Sequence, residues 1–389
     1  MPRWNVHFDL HIDFANIEMV RLVERAHALS AVIRAIPIPP YLQMELDTVN
    51  ILRAVRGTTS IEGAEVSTKE VRMIMDSPGK RILPASRGKD EQEVRNAQTA
   101  MYFIAKLVRQ QPDAPLTEGL ICEFHRLMTQ DIPYEHNVPG QYRNHPVRAE
   151  DYLPPETGEE VRILVQQFVE WFRSPSVVHW DPIIRAVAAH FYLVSIHPFG
   201  DGNGRTSRAV ESFLLYQGKV NARGFYSLAN YYYQNRAEYV RQLDNARFNG
   251  KGDLTPFIMF ALHGLITELQ EVHEDVLKEV KVISFRDYAR EEFLTQELLS
   301  TKAGLRSFTL LMGMGKVPIP MTGIYTLALY KDVTRRTVQR DIRLLRTHKL
   351  VIIKDGMLTP NLDVMNQFTA IEELEKGIPE DLEEEELEY

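Results

Sequence analysis

IRAVAAHFYLVSIHPFGDGNGRTSRAVESFLLYQG, residues 184–218, reads as an apolar stretch, a polar loop and a second apolar stretch. Ile184, Val187, Ala188, Phe191 and Val194 follow the spacing of one helix face, so the spacing predicts a core helix. Pro198 disfavours helical geometry in the residue before it, and the helix is expected to end at His197. Ala209, Val210, Phe213 and Leu214 mark a second buried helix, opening near Gly204 and stopping near Gly218. The unit is helix, loop, helix.

The loop HPFGDGNGRTSR, 197–208, carries the chemistry. Gly202 and Gly204 let the backbone turn tightly and approach a ligand, while the first amides of the second helix point outward as anion donors. Phosphate is the natural guest. Arg205 and Arg208, three apart, are expected to share a face and fork onto phosphate oxygens. Asp201 offers the hard oxygen that magnesium uses when it also holds a nucleotide's phosphates. His197, with a side chain that titrates near neutrality, suits a general base toward an incoming hydroxyl. Together these parts describe nucleotidyl or phosphoryl transfer. Other readings fail on spacing: an EF-hand starting at Asp201 would meet Arg205, Thr206 and Ser212 at its fifth, sixth and twelfth positions. No GxxxxGK[ST] occurs, which argues against a Walker-type ATPase.

Outside the loop, 389 residues with 44% apolar and 25% charged side chains suit a soluble globular chain of two or three domains. No apolar run reaches spanning length, and the N-terminus resembles no secretory signal, so no membrane association and a cytoplasmic location are expected. Cys122 is the single cysteine, which excludes an internal disulfide framework and a thiolate zinc cluster. The net charge of -8 is concentrated at the C-terminus, where residues 372–389 hold ten acids against Lys376. Helical periodicity dominates from about 17 to 295, so a mainly α fold is expected. Its divisions are an N-terminal helical region (1–100), a catalytic core (101–275), a linker helix with a small module (276–360) and an acidic tail (361–389). The basic, turn-rich SPGKRILPASRGK (77–89) is expected as an exposed loop, and residues 138–161 as a loop or small hairpin.

At every specified position HPFGDGNGRTSR resembles the HPFx[DE]GN[GK]RxxR signature of Fic-domain proteins, a helical fold whose usual activity is adenylylation of protein hydroxyls. The resemblance implies that His197 deprotonates a Ser, Thr or Tyr of a target protein, the chain itself included, which attacks the α-phosphate of ATP. It implies that Asp201 holds Mg2+, that Gly202, Asn203 and Gly204 form the anion nest, and that Arg205 and Arg208 grip the outer phosphates. Thr206 and Ser207 fall in the same nucleotide-binding run. Residues 140–152 resemble the family's β-hairpin flap, where a protein substrate docks. Tyr239, in the tyrosine-rich run 229–243, falls where such proteins wall the adenine, with core packing as its rival reading.

TTSIEGAE, 58–65, resembles the family's inhibitory pattern [ST]xxxE[GN], met by Thr58, Glu62 and Gly63. The implied brake is an ion pair from Glu62 to Arg208. Removal of AMP by the same site, or service as a nucleotide sensor in a DNA-binding regulator, are the alternative functions. A homodimer is compatible with either.

Near the C-terminus, Val338, Ile342 and Leu345 form one apolar stripe with Thr334 as N-cap, while eight Lys or Arg between 331 and 354 face Asp332 and Asp341. VIIKDGMLT offers two short strands around a DG turn, so this segment resembles a winged helix-turn-helix. Arg335, Arg336 and Arg340 are the residues expected to meet DNA, with a docked protein as the alternative partner.

Overall fold

A computed structural model describes residues 3–149, 152–220, 228–249, 252–314 and 317–368. The acidic run 372–389 and two residues of the expected flap, 150–151, lie outside the described residues. The chain divides into two compact units, Met1–Glu274 and Asp275–Tyr389.

The first unit is helical. In chain order it holds α1 (Ile17–Ala35), α2 (Pro40–Ile61), α3 (Thr68–Met75), α4 (Gly88–Gln110), α5 (Glu118–Thr129), α6 (Gly158–Phe172), the single turn α7 (Pro175–Val178), α8 (Pro182–Ile196), α9 (Asn203–Gln217), α10 (Ala229–Gln234) and α11 (Arg236–Asp244). A π-helical turn at Asn245–Asn249 follows, and α12 (Thr255–Thr295) contributes its first half to this unit. Local chemistry sets the boundaries. Asp181 caps α8 by accepting from the Ile183 amide at 2.8 Å, with Pro182 at the first helical position, where its missing N–H costs nothing. Ser67 and Glu70 close a capping box at the start of α3.

α8 and α9 run through the core. From Ile183 to Ile196 only Arg185 escapes burial, so α8 is not a one-sided amphipathic helix but one covered all round. α4 and α5 pack on α9, and α2 packs on both α4 and α10. Gly57 permits the close seat of α2 on α10, because a Cβ there would stand 2.5 Å from the backbone nitrogen of Asn230. The expected boundary at residue 100 falls in the middle of α4. Since α4 packs on α2, α5 and α9 together, residues 1–274 form one unit rather than an appended region and a core.

Residues 77–87 are largely exposed, as their composition suggests, and are tethered by Glu91, which accepts from the amides of Ile82 and Leu83. The segment expected as a flap has no extended strand among its described residues. A single antiparallel bridge joins Ala149 to Tyr152, and Leu153 bridges Arg3 near the N-terminus.

The second unit encloses its own core of Phe285, Phe293, Leu310, Ile324, Val338, Leu345 and neighbours. It comprises the remainder of α12, α13 (Lys302–Met314), β1 (Ile319–Pro320), the short turn α14 (Met321–Ile324), α15 (Arg335–Thr347), β2 (Val351–Lys354) and β3 (Met357–Pro360). The strands form an antiparallel sheet in the order β1, β3, β2, with Ile353 opposite Leu358 and the DG turn between them. Thr334 caps α15 by accepting from the Thr337 amide, and Val338, Ile342 and Leu345 are buried. Asp341 is fully buried and takes two hydrogen bonds from Arg306, at 2.7 and 3.2 Å. Its Oδ1 also lies 3.8 Å from Nε of the exposed Arg340.

Candidate active site

The loop after α8 begins on an unusual backbone. His197 is left-handed, with φ 51° and ψ 59°, a conformation costing a non-glycine residue about 1–2 kcal/mol. Arg143 offsets the strain. Its Nε donates to the His197 carbonyl at 2.8 Å, and its two other nitrogens donate to the carbonyls of His145 (2.8 Å) and Pro155 (2.6 Å). Hydrogen bonds from a charged donor contribute about 1.5–3 kcal/mol each, more than the strain costs. Burial pulls the Arg143 guanidinium down to about 10.

The orientation of the His197 ring fixes its chemistry. Nδ1 lies 3.2 Å from the Val194 carbonyl, which can only accept, so Nδ1 carries the proton and Nε2 keeps a lone pair. Burial lowers the imidazole to about 4, with Arg143 adding to the shift and the Val194 contact and Glu62 opposing it. At neutral pH the ring is an uncharged base.

Asn203 shapes the turn that follows, donating to the Phe199 carbonyl at 2.9 Å and accepting from the Phe199 amide at 2.8 Å. Phe199 is fully buried and stacks on His125 with ring centres 3.7 Å apart. His125 accepts from the Gly140 amide at Nδ1, so its Nε2 donates to the Asp201 carbonyl at 2.9 Å. One neutral imidazole, lowered to about 4 by burial, thus ties the start of the flap segment to the loop. Gly202, at φ 74°, precedes α9, whose N-terminus has no side-chain cap.

Glu62 occupies the space above that N-terminus. Its Oε1 accepts from Arg208 Nη2 at 2.6 Å, while Arg208 Nε donates to Thr58 Oγ1 (3.0 Å) and Nη2 also to the Thr58 carbonyl (3.1 Å). Thr58 and Glu62, one turn apart at the end of α2, thereby hold one guanidinium that is 1% exposed. Burial alone would raise the Glu62 carboxyl, but the cations of Arg208 and Arg205 and the hydrogen bond from Arg208 keep it below its ordinary value. Gly63 has φ 96°, which ends α2 directly after Glu62 and favours glycine. A Cβ at Gly204 would lie 2.2 Å from Glu62 Oε1, so a larger residue there would push the Glu62 carboxylate aside.

His197, Asp201, Gly202, Asn203, Gly204, Arg208, Glu62 and Tyr239 line one cavity of about 310 Å3. Arg205 does not join them. It is 1% exposed, paired with Glu93 at 3.1 Å and with Asp201 Oδ1 at 2.9 Å, and its guanidinium lies over the Tyr134 ring. Its i, i+3 spacing from Arg208 suggested a shared grip on phosphate, but the two long side chains diverge, one to α2 and one to α4. Arg205 positions Asp201. Thr206 and Ser207 are also turned inward, their hydroxyls donating to the carbonyls of Gly202 (2.8 Å) and Gly204 (3.0 Å), so neither side chain faces the cavity.

Asp201 fits a cation that is shared with phosphate. Oδ1 is taken by Arg205 and the Gly202 amide, while Oδ2 makes no hydrogen bond among the described residues and the side chain is 41% exposed.

Several residues of the site were not legible as such in the sequence. Arg247 lines the cavity, donates to Ser195 Oγ at 3.0 Å and lies 4.4 Å over the Tyr152 ring, whose hydroxyl donates to the Ser195 carbonyl at 2.9 Å. Burial lowers the Arg247 guanidinium. Arg148 and Arg236 also line the cavity. His190 and Glu211 had a detectable signal: each is a polar side chain set inside an apolar helical run, AVAAHFYLV and RAVESFLLY.

Residues 115–215 match the family model described as the Fic/DOC family. The chain is 31% identical over 253 residues to the protein adenylyltransferase Fic of Aedes aegypti, and 30% identical over 244 residues to that of Drosophila virilis. These alignments cover 64% and 62% of this chain and 46% of each relative, so the chain spans less than half the length of either. Among solved structures, a Fic family protein from Desulfovibrio desulfuricans G20 aligns with a TM-score of 0.54, over 92% of this chain and 98% of that one, at 17% identity. Fic-1 from C. elegans aligns with the same TM-score over 67% of this chain and 73% of that one, at 25% identity.

Proposed function

Because residues 115–215 carry a Fic-family domain in a chain homologous to named protein adenylyltransferases, we propose that this protein is a self-inhibited, ATP-dependent protein adenylyltransferase. The observation that carries this reading is the single cavity shared by His197, Asp201, the Gly202–Gly204 turn and Arg208. Nε2 of His197 takes the proton of a Ser, Thr or Tyr hydroxyl on a target protein. The hydroxyl oxygen then bonds to the α-phosphorus of ATP, the bond from that phosphorus to the bridging oxygen breaks, and pyrophosphate leaves. The amides at the start of α9 receive phosphate oxygens, and Arg208 binds the γ-phosphate. Asp201 would hold Mg2+, which neutralises phosphate charge. The segment from Gly140 to Tyr152 is the target's docking edge. Its ends are fixed, by the Gly140 bond to His125 and by the Tyr152 ring under Arg247.

In this reading Glu62 is the brake. The Arg208 guanidinium, paired with Glu62 at 2.6 Å, is withheld from the γ-phosphate, and a carboxylate over the α9 N-terminus repels the triphosphate. ATP labelled at the α-phosphate tests the function with Glu62→Gly protein. Label on protein, with none from γ-labelled ATP, supports transfer. AMP release from modified protein would support removal instead, and neither outcome would leave a nucleotide sensor.

We also propose that the second unit binds duplex DNA through α15. Arg335, Arg336, Arg340, Arg343 and Arg346 are all exposed on this helix, and its one acid, Asp341, is buried against Arg306 with Arg340 Nε 3.8 Å away. Such a uniformly cationic surface suits a phosphate backbone. Arg335 also lies 5.5 Å over the Tyr325 ring, so Arg336→Ala/Arg340→Ala is the cleaner probe. Wild-type affinity should fall steeply with salt, and the double variant should flatten the slope of log K against log salt by about 1–2. Absence of binding at low salt would rule this out.

A further inference from the structure

Behind the cavity wall lies a chain of buried polar groups for which the transfer mechanism has no use. Tyr239, on the wall and 4% exposed, has its hydroxyl 2.8 Å from His190 Nε2. His190 Nδ1 stands 3.6 Å from Glu211 Oε2. Both residues are fully buried, and neither of these two atoms has a hydrogen-bond partner among the described residues. The other Glu211 oxygen accepts from Tyr232 Oη at 2.9 Å, and the Tyr232 ring stacks on Tyr239 with centres 4.6 Å apart and planes inclined by 22°.

The donors and acceptors set a direction along this chain. Glu211 stands 3.6 Å from His190 Nδ1, beyond hydrogen-bond length, and its negative charge favours the proton on that nitrogen, the tautomer in which Nε2 accepts the Tyr239 O–H. Glu211 thus holds the Tyr232 ring directly through its hydrogen bond and acts on His190, and through it on Tyr239, by its charge across 3.6 Å. It does so from α9, one turn after Arg208, while His190 sits on α8 two turns before His197. Apolar side chains would fill this interior without the desolvation that a carboxylate and an imidazole require. A polar chain earns retention here where it orients something at the surface of the cavity, and the group at its end is Tyr239.

We propose that His190 and Glu211 are positioning residues that hold the Tyr239 ring against the base of the bound nucleotide, and so set affinity for ATP without taking part in the chemical step. This rests on the reading of the cavity as an ATP site. The test uses the full chain carrying Glu62→Gly, with Tyr239→Phe, Glu211→Gln and both together, measuring ATP binding by calorimetry and initial rates of transfer. Tyr239→Phe removes only the hydroxyl, so it stays informative even where Glu211→Gln fails to fold.

Losing one such bond is expected to raise both Kd and KM for ATP about 3- to 10-fold, with kcat within about twofold. The double variant should be no weaker than the weaker single one, because both break the same chain. Unchanged Kd and KM, or losses that multiply in the double variant, would overturn the positioning role alone. If the Glu62→Gly protein binds no ATP at all, this proposal falls together with the function on which it rests.

Discussion

Glu62→Gly is expected to raise AMP transfer about 10- to 100-fold over the wild-type chain. The carboxylate accepts a charged hydrogen bond of 2.6 Å from Arg208, and bonds of that kind contribute about 1.5–3 kcal/mol. Each 1.4 kcal/mol is a factor of ten, and the whole of it opposes engagement of the γ-phosphate. Thr58 continues to hold Arg208 in the variant, through its hydroxyl and carbonyl, so the guanidinium stays in place when its acidic partner is gone. Glu62→Gln, which keeps the shape and removes the charge, should fall between the two. Initial rates of label incorporation at saturating Mg-ATP measure the effect. In an Arg208→Ala background the same substitution should activate far less, because only the carboxylate's repulsion of the triphosphate is left to relieve, and Glu62→Gly no faster than wild type would refute the brake.

Removing the base has the opposite sign and a larger size. In the Glu62→Gly background, His197→Ala should lower transfer by at least about 100-fold, the low end of what a positioned general base contributes, with ATP affinity changed by no more than a few-fold. Position 197 requires a left-handed backbone, so His197→Asn, which tolerates that conformation better than alanine, separates loss of the base from loss of the turn. The pH dependence follows from the same ring. Its pKa lies at about 4, below the ordinary value, so the neutral, basic form predominates down to that pH and is lost only as pH falls through it. Transfer should not decline between pH 8 and 6 on account of His197, and removing Glu62, whose charge raises the ring, should move it no higher. An imidazole NMR titration with a midpoint near 6.5 would contradict the burial argument, and near wild-type transfer by His197→Asn would contradict the mechanism.

What could be read from the chain depended on how local the determinant is. Both helix ends around the loop follow from Pro198 and Gly202, because backbone sterics act over one or two residues. The hairpin of β2 and β3 likewise follows from a DG turn between apolar runs. Arg205 shows the limit of spacing. Its position on α9 was legible, but the destination of a long flexible side chain depends on which carboxylates packing brings near, and α4 supplies Glu93. Asp341 reads as a surface acid among arginines, and only the approach of Arg306 from α13 makes it a buried partner.

The sequence by itself determined the helix–loop–helix and the order of histidine, aspartate, glycine turn and arginine within it. Covalent order and local sterics are sufficient for these, since the residues concerned are neighbours. Tertiary structure alone decided which of the two arginines faces the cavity and which way the His197 ring carries its proton. It also decided that Arg143, His125 and Arg247 hold the loop and the flap segment in place. These depend on partners far apart in the chain: Glu62 and Arg208 are separated by 146 residues, and Arg143 and the His197 carbonyl by 54. A buried guanidinium or imidazole takes its role from the acceptors that packing places around it, and no spacing along one helix contains that information.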